Sequence, residues 1–299
     1  MRLIVQSLRE SGGRNLRWLL GLGIVLGGSV LVVLQLMELA RLQLSPPMYL
    51  ALHGGMLCAL GTALGALPVL LVRSMPARIA DAMLGFGAGV MLAATAFSLL
   101  LPALEAAEAS GRPTWLAALL VSLGLALGAF GLAVFGRVLE DAQANIQGVA
   151  DGKVPARILL FVAAIVLHNI PEGMAVGVAA GGEVQGASGL ALGIALQDVP
   201  EGLAIALVLA GAGVSRSKAA LAGAASGLVE PLFAVLCAWL IGISRMFLPW
   251  GLAAAAGAML YVVVREIIPE SQRRGHAAQA TQGLIIGFCL MMVLDTSLG

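Results

Sequence analysis

Residues 158–180 read ILLFVAAIVLHNIPEGMAVGVAA and residues 188–213 read SGLALGIALQDVPEGLAIALVLAGAG. Each is an apolar run long enough to cross a bilayer, whose hydrocarbon of about 30 Å takes roughly 20 helical residues. Each is interrupted by the same device, H-N-I-P-E-G at His168 to Gly173 and Q-D-V-P-E-G at Gln197 to Gly202. A charged side chain at the centre of a bilayer costs about 2.5–3.5 kcal/mol on insertion scales, so it persists where something compensates it. The expected compensation is a bound cation.

Outward from these two segments the chain is apolar almost throughout. With 60% hydrophobic residues, 11% charged residues and 39 glycines, and a mean hydropathy of +0.99, it departs from the roughly 45–50% apolar and 25% charged make-up of soluble domains. Nine runs have spanning length, at approximately 18–37, 48–72, 81–103, 115–136, 158–180, 188–213, 219–243, 247–264 and 281–298. The predicted class is an all-α integral membrane protein in one bundle. The longest connection, 137–157, carries Arg137, Glu140, Asp141, Asp151, Lys153 and Arg157 and reads as a polar loop.

Basic residues orient the bundle. With the N-terminus in the cytoplasm, 14 of the 17 basic residues fall on the inside, leaving Arg41, Arg112 and Arg245 outside. That asymmetry follows the positive-inside rule, and nine spans then place the C-terminus outside, in a plasma (inner) membrane. The first run is longer than the usual h-region of a signal peptide and has a poor cleavage site, so it reads as an anchor. A net charge of +1 with two tyrosines and eight phenylalanines offers nothing to nucleic acid. Cys58, Cys237 and Cys289 stand singly in apolar runs and read as small buried hydrophobes rather than a disulfide frame or a thiolate zinc site.

Helical spacing gathers the motif side chains. Residues three and four apart share a face, which joins His168, Asn169 and Glu172 in one cluster and Gln197, Asp198 and Glu201 in another. Pro171 and Pro200 break the hydrogen-bond ladder and tend to kink their helices, freeing the carbonyls of Leu167 and Leu196. Gly173 and Gly202 leave room for a neighbouring helix or a hydrated ion. Imidazole, carboxylate and amide oxygen suit zinc, iron, manganese or cadmium, and the lack of thiolate speaks against copper(I). Glu230 with Pro231 repeats the carboxylate-proline pair in the seventh run. If Glu172, Asp198, Glu201 and Glu230 converge, their four charges neutralise two divalent ions, with Glu172 and Glu201 bridging by symmetry. A single buried histidine or glutamate commonly serves packing. Here six polar residues recur in two matched motifs, and no basic residue lies within the fifth, sixth or seventh run to pair with them.

H-N-I-P-E-G, Q-D-V-P-E-G and S-G-L-V-E-P at Ser226 to Pro231 resemble the signature segments of the ZIP (Zrt-, Irt-like protein) divalent metal transporters, particularly bacterial members, over roughly residues 48–299. The resemblance implies a ZIP-like eight-helix bundle with inverted repeats at 48–299. Residues 1–47 would add one extra N-terminal transmembrane helix, making nine spans. It also implies transport of Zn2+, with Cd2+, Fe2+ or Mn2+ as further candidates, toward the cytoplasm. By the same resemblance His168, Glu172, Gln197 and Glu201, joined by Met91, hold one metal. Asn169, Asp198 and Glu230 hold the second, with Glu172 and Glu201 shared. A homodimer, with the elevator motion of a transport domain described for some members, is implied by analogy alone. The 137–157 loop lacks the histidine cluster common in the family.

Further polar residues carry alternatives. Asp81, Ser98 and Glu105 could line an entrance, although Asp81 beside Arg78 could equally be an interfacial ion pair or helix cap. Glu266, Glu270 and His276 could receive exiting metal or form a solvated face with Arg265, Arg273 and Arg274. Asp295, with no partner evident in the sequence, reads as a gate or supporting residue. A membrane metal sensor would need an output domain, which is not seen. An intramembrane metalloprotease would need H-E-x-x-H, and Asn169 stands in the place of its glutamate. A proton-coupled carrier of organic solutes would call for aromatic or basic pocket groups.

Overall fold

A computed structural model of the chain describes residues 38, 43–71, 75–147, 156–211 and 213–298. Among the described residues every regular element is helical. The expected first span at 18–37 lies outside them. The other eight expected runs each coincide with a helix or a pair of helices. They are α1 (Pro46–Ala66), α2 (Ala77–Ala93) with α3 (Leu101–Ala109), α4 (Thr114–Gln147) and α5 (Ala156–Gly181). There follow α6 (Ala187–Gly211), α7 (Arg216–Ser226) with α8 (Val229–Ile243), α9 (Leu248–Val262) with α10 (Ile268–Gln272) and α11 (Ala277–Leu298). Among the described residues 7 stretches are long and apolar enough to cross a membrane, and α5 adds a helix of 26 residues.

Prolines shape these helices locally. Pro46 opens α1, where a missing N–H is harmless. Pro102 and Pro269 each follow a π-helical segment, Ala94–Leu100 and Val263–Ile267 respectively. A proline ring clashes with the carbonyl four residues earlier, here Ser98 and Arg265, and the wider π turn relieves that clash without ending the helix. Pro171 and Pro200 lie inside α5 and α6, which stay continuous through them. Pro231 acts differently. The seventh run breaks at Gly227 and Leu228, placing Glu230 in the first turn of α8, where the helix dipole favours negative charge.

Part of the expected loop at 137–157 is helical instead, because α4 continues to Gln147. The stretch 138–147 has no glycine or proline, and its glutamate, alanines and glutamines carry the helix beyond the apolar segment.

Helices associate in parallel pairs. A methyl at Gly85 would run into the carbonyl of Ala280, and one at Gly89 into that of Leu284, so α2 and α11 meet backbone to backbone in matched order. Small residues permit this approach in a bilayer, where helices gain little from burying apolar surface against each other. The same parallel order joins α1 to α6, α5 to α8 and α4 to α9. The members of each pair stand an even number of places apart in the order of spans, as parallel packing of successive membrane crossings requires. The connection after α5 and the one after α8 fall on one side, where Arg245 bonds Glu183 at 2.7 Å. On its outer face α4 exposes Trp115, Leu119, Leu123, Leu127 and Phe130, the surface expected to face lipid.

Candidate metal centre

The two motif helices, α5 and α6, lie beside α1 and α8, and the polar groups of all four meet in the interior. Glu230 is fully buried. Its Oε1 accepts hydrogen bonds from Asn169 Nδ2 at 3.1 Å and from Thr62 Oγ1 at 3.3 Å. Gln197 Nε2 donates to Asp198 Oδ1 at 2.6 Å. The remaining oxygens, both of Glu172, Oδ2 of Asp198 and Oε2 of Glu230, are buried and have no hydrogen-bond donor. Glu172 lies within electrostatic reach of Glu201 and His168, and Asp198 within reach of Glu230, Glu201 and Glu172. Glu172, Asp198, Glu201 and Glu230, from three helices, thus share one charged neighbourhood.

His168 is half-buried at the edge of this cluster, its Nε2 2.9 Å from Glu266 Oε2. Met91 is fully buried on α2. One turn before it, a Cβ built on Gly87 would stand 3.3 Å from Gln197 Oε1, so this face of α2 looks onto the amide of Gln197. A cavity of about 600 Å³ is lined by Gly87, His168, Gln197, Glu201, Glu266 and Arg274. Its outer residues, Arg273 and Arg274, are exposed, Glu201 is half-buried and Gln197 is buried. It connects the cluster to the surface.

The peripheral residues separate into four groups. Asp81 is fully buried, but its partner is not Arg78. Its Oδ2 lies 2.9 Å from His276 Nδ1 and its Oδ1 3.8 Å from Arg274 Nη1. The parallel packing of α2 and α11 brings these groups together from 195 residues apart. Glu270 bonds Arg273 at 2.7 Å and Arg274 at 3.3 Å, the paired face offered as the alternative to a metal exit. Asp295 does have a partner, since Ser98 Oγ donates to its Oδ1 at 2.6 Å. Glu105 is exposed on α3 and stands apart from the buried cluster.

Two residues were not singled out by sequence reasoning. Thr62 and Cys58 sit one turn apart on α1, and Cys58 Sγ, with carboxylate oxygens of Asp198 and Glu230, forms a group whose atoms all lie within 4.8 Å of one another. Nothing in the spacing of α1 marks them. Their position follows from the packing of α1 against α6 and α8.

Carboxylates, an imidazole and amide oxygens gathered inside a multi-pass helical bundle define a membrane protein that handles cations. The model of the ZIP Zinc transporter family matches residues 140–295, and the chain belongs to that family. It is 49% identical over 256 residues to the zinc transporter ZIPB of Bordetella bronchiseptica, covering 83% of this chain and 81% of the relative. It is 41% identical to the zinc transporter GufA of Myxococcus xanthus, covering 83% and 98%. It is also 34% identical to human zinc transporter ZIP11, covering 80% and 94%. This is a family of transporters rather than enzymes.

Proposed function

We propose that this chain carries Zn2+ toward the cytoplasm through a centre holding two cations. His168, Glu172, Gln197 and Glu201, with Met91, bind one; Asn169, Asp198 and Glu230 bind the other, and Glu172 and Glu201 bridge. The observation that carries this reading is the set of four carboxylate oxygens on Glu172, Asp198 and Glu230, buried in a membrane bundle without a donor. An unpaired buried carboxylate is strongly unfavourable, and divalent cations satisfy these oxygens. The mixed nitrogen and oxygen set accepts borderline Zn2+ and Fe2+, softer Cd2+ and harder Mn2+, so the last three are competing substrates.

Direction is supported by the asymmetry of access. The cavity ends at Arg273 and Arg274, on the side that the basic-residue count assigns to the cytoplasm. Toward the other side, Met91, Leu99 and Met291 are fully buried and Ser98 is bonded to Asp295, closing that route. In this reading hydrated metal enters past Ser98 and Asp295 when the outer side opens, sheds water onto the motif carboxylates and leaves through the cavity. Glu266 assists departure by competing with the cation for His168 Nε2. The full arrangement has nine spans in the inner membrane, with inverted repeats in 48–299, residues 1–47 as an added anchor segment, and two copies forming a homodimer.

The test is Zn2+ uptake into sealed proteoliposomes containing a fluorescent chelator, comparing the wild-type chain with Glu172→Ala at equal protein density. Saturable uptake lost in the variant supports transport through this centre. Wild-type flux in Glu172→Ala removes Glu172 from the bridge, and tight binding without uptake favours a sensor.

A further inference from the structure

We propose that Cys58 is a metal ligand. With Asp198 and Glu230 it gives the second cation a sulfur-containing subsite that favours Zn2+ and Cd2+ over Mn2+ and Fe2+. The inference rests on the two-cation reading above and adds a residue that the family's signature segments do not include.

The geometry leaves few other roles for this thiol. Cys58 and Glu230 are both 0% exposed and Asp198 is 2% exposed. One oxygen of each carboxylate is already engaged, Asp198 Oδ1 by Gln197 and Glu230 Oε1 by Asn169 and Thr62. The other two, Asp198 Oδ2 and Glu230 Oε2, have no partner. One carboxylate oxygen from each acid thus lies with the sulfur atom, these three ligand atoms all within 4.8 Å of one another. Around a tetrahedral zinc ion, bonds of about 2.3 Å to sulfur and 2.0–2.2 Å to oxygen put neighbouring ligands roughly 3.4–3.8 Å apart. Closing from the present spread requires a contraction on the order of 1 Å, within the reach of side-chain rotation. Glu172, whose two oxygens also lack donors, is available as the fourth ligand.

Cys58 is held by a 3.5 Å contact from Sγ to the carbonyl of Ala191 and by a hydrogen bond with Glu230, both weak because thiols are poor donors. Among the described residues no other cysteine joins two acidic groups in this way. On binding, the S–H bond is exchanged for a sulfur–metal bond and the proton is released to solvent, which reaches this region by the cavity that Gln197, the partner of Asp198, lines. A thiolate prefers the softer zinc and cadmium ions, whereas an all-oxygen subsite does not discriminate against manganese.

The experiment uses the full chain in detergent, in wild-type, Cys58→Ser and Cys58→Ala forms, with Cys237 and Cys289 retained. Cd2+ is added, bound metal is counted by equilibrium dialysis, and the ultraviolet sulfur-to-cadmium charge-transfer band is recorded. The expected result is a band in the wild-type chain at the second equivalent of Cd2+ and none in either variant. Uptake competition should then show the preference for Cd2+ over Mn2+ reduced roughly 10- to 100-fold in Cys58→Ser, the scale on which metal-site support residues act. Two bound Cd2+ without the band in wild type overturn the role of Cys58 and leave the two-cation reading standing. A band that survives in both variants also overturns it. Failure of the wild-type chain to bind two Cd2+ overturns the two-cation reading, and this inference with it.

Discussion

Replacing Glu172 with methionine should stabilise the metal-free protein while abolishing its response to zinc. Glu172 is 1% exposed and neither carboxylate oxygen has a donor. A buried polar group left unsatisfied costs about 1–3 kcal/mol, more when charged. Methionine has similar length, no polar oxygen and a flexible stem that fits irregular space. Using about 2–4 °C per kcal/mol, the conversion for soluble chains of roughly 150–250 residues, the gain corresponds to roughly 2–12 °C in melting temperature. The wild-type chain should gain stability as metal saturates it, about 2.7 kcal/mol per site at a hundredfold excess over Kd. The assay is thermal unfolding in detergent followed by helical circular dichroism, once with chelator and once with Zn2+. Glu172→Gln is the control, since it keeps polar atoms in the same place and should not gain stability in chelator. A methionine variant that melts no higher than wild type without metal refutes the view of Glu172 as an uncompensated buried group. One that retains the full zinc shift refutes its role as a ligand.

Three further outcomes are expected. Gly89→Ala drives a methyl into the carbonyl of Leu284 and should destabilise the fold by about 1–3 kcal/mol, whereas Gly131→Ala meets no atom within 4 Å and should be neutral or slightly stabilising; detergent melting curves of both decide it. Ser98→Ala removes a 2.6 Å hydrogen bond to Asp295, a carboxylate bond contributing about 1.5–3 kcal/mol. A cysteine placed at the buried Leu99, in a Cys289→Ala background, should then label roughly 10- to 150-fold faster with an impermeant reagent from the outer side. Glu266→Ala frees His168 from its 2.9 Å partner and should lower KM and kcat for Zn2+ together, as measured by initial uptake rates.

The spans were legible because a bilayer imposes length and apolarity on every helix, and the eight expected runs that fall on described residues each became helical. The motif residues were legible because His168, Asn169 and Glu172 share a helical face by spacing alone, as do Gln197, Asp198 and Glu201. Three features were not. The π segments before Pro102 and Pro269 and the break before Pro231 are different answers to one local problem, and the surrounding packing selects between them. Asp81 meets His276 and Arg274, and Asp295 on α11 meets Ser98 in the π segment after α2, across an interface that no local pattern on either helix announces. Cys58 read as a small hydrophobe because it stands singly in an apolar run, with no C-x-x-C spacing. It meets Asp198 and Glu230 only where α1, α6 and α8 assemble.

The parallel pairing of α2 with α11 also bears on how the chain is made. Asp81 and His276, which join the two helices, lie 195 residues apart. At a synthesis rate of about 5–20 residues per second, α2 waits roughly 10–40 s after its own emergence before its glycine-lined partner exists. During that interval its close-packing face and the buried carboxylate of Asp81 must be covered by lipid, by earlier helices or by the insertion machinery. Damage to α11 therefore reaches back to an early segment, and a chain interrupted late in translation carries an unclosed seam and is a natural target for membrane quality control.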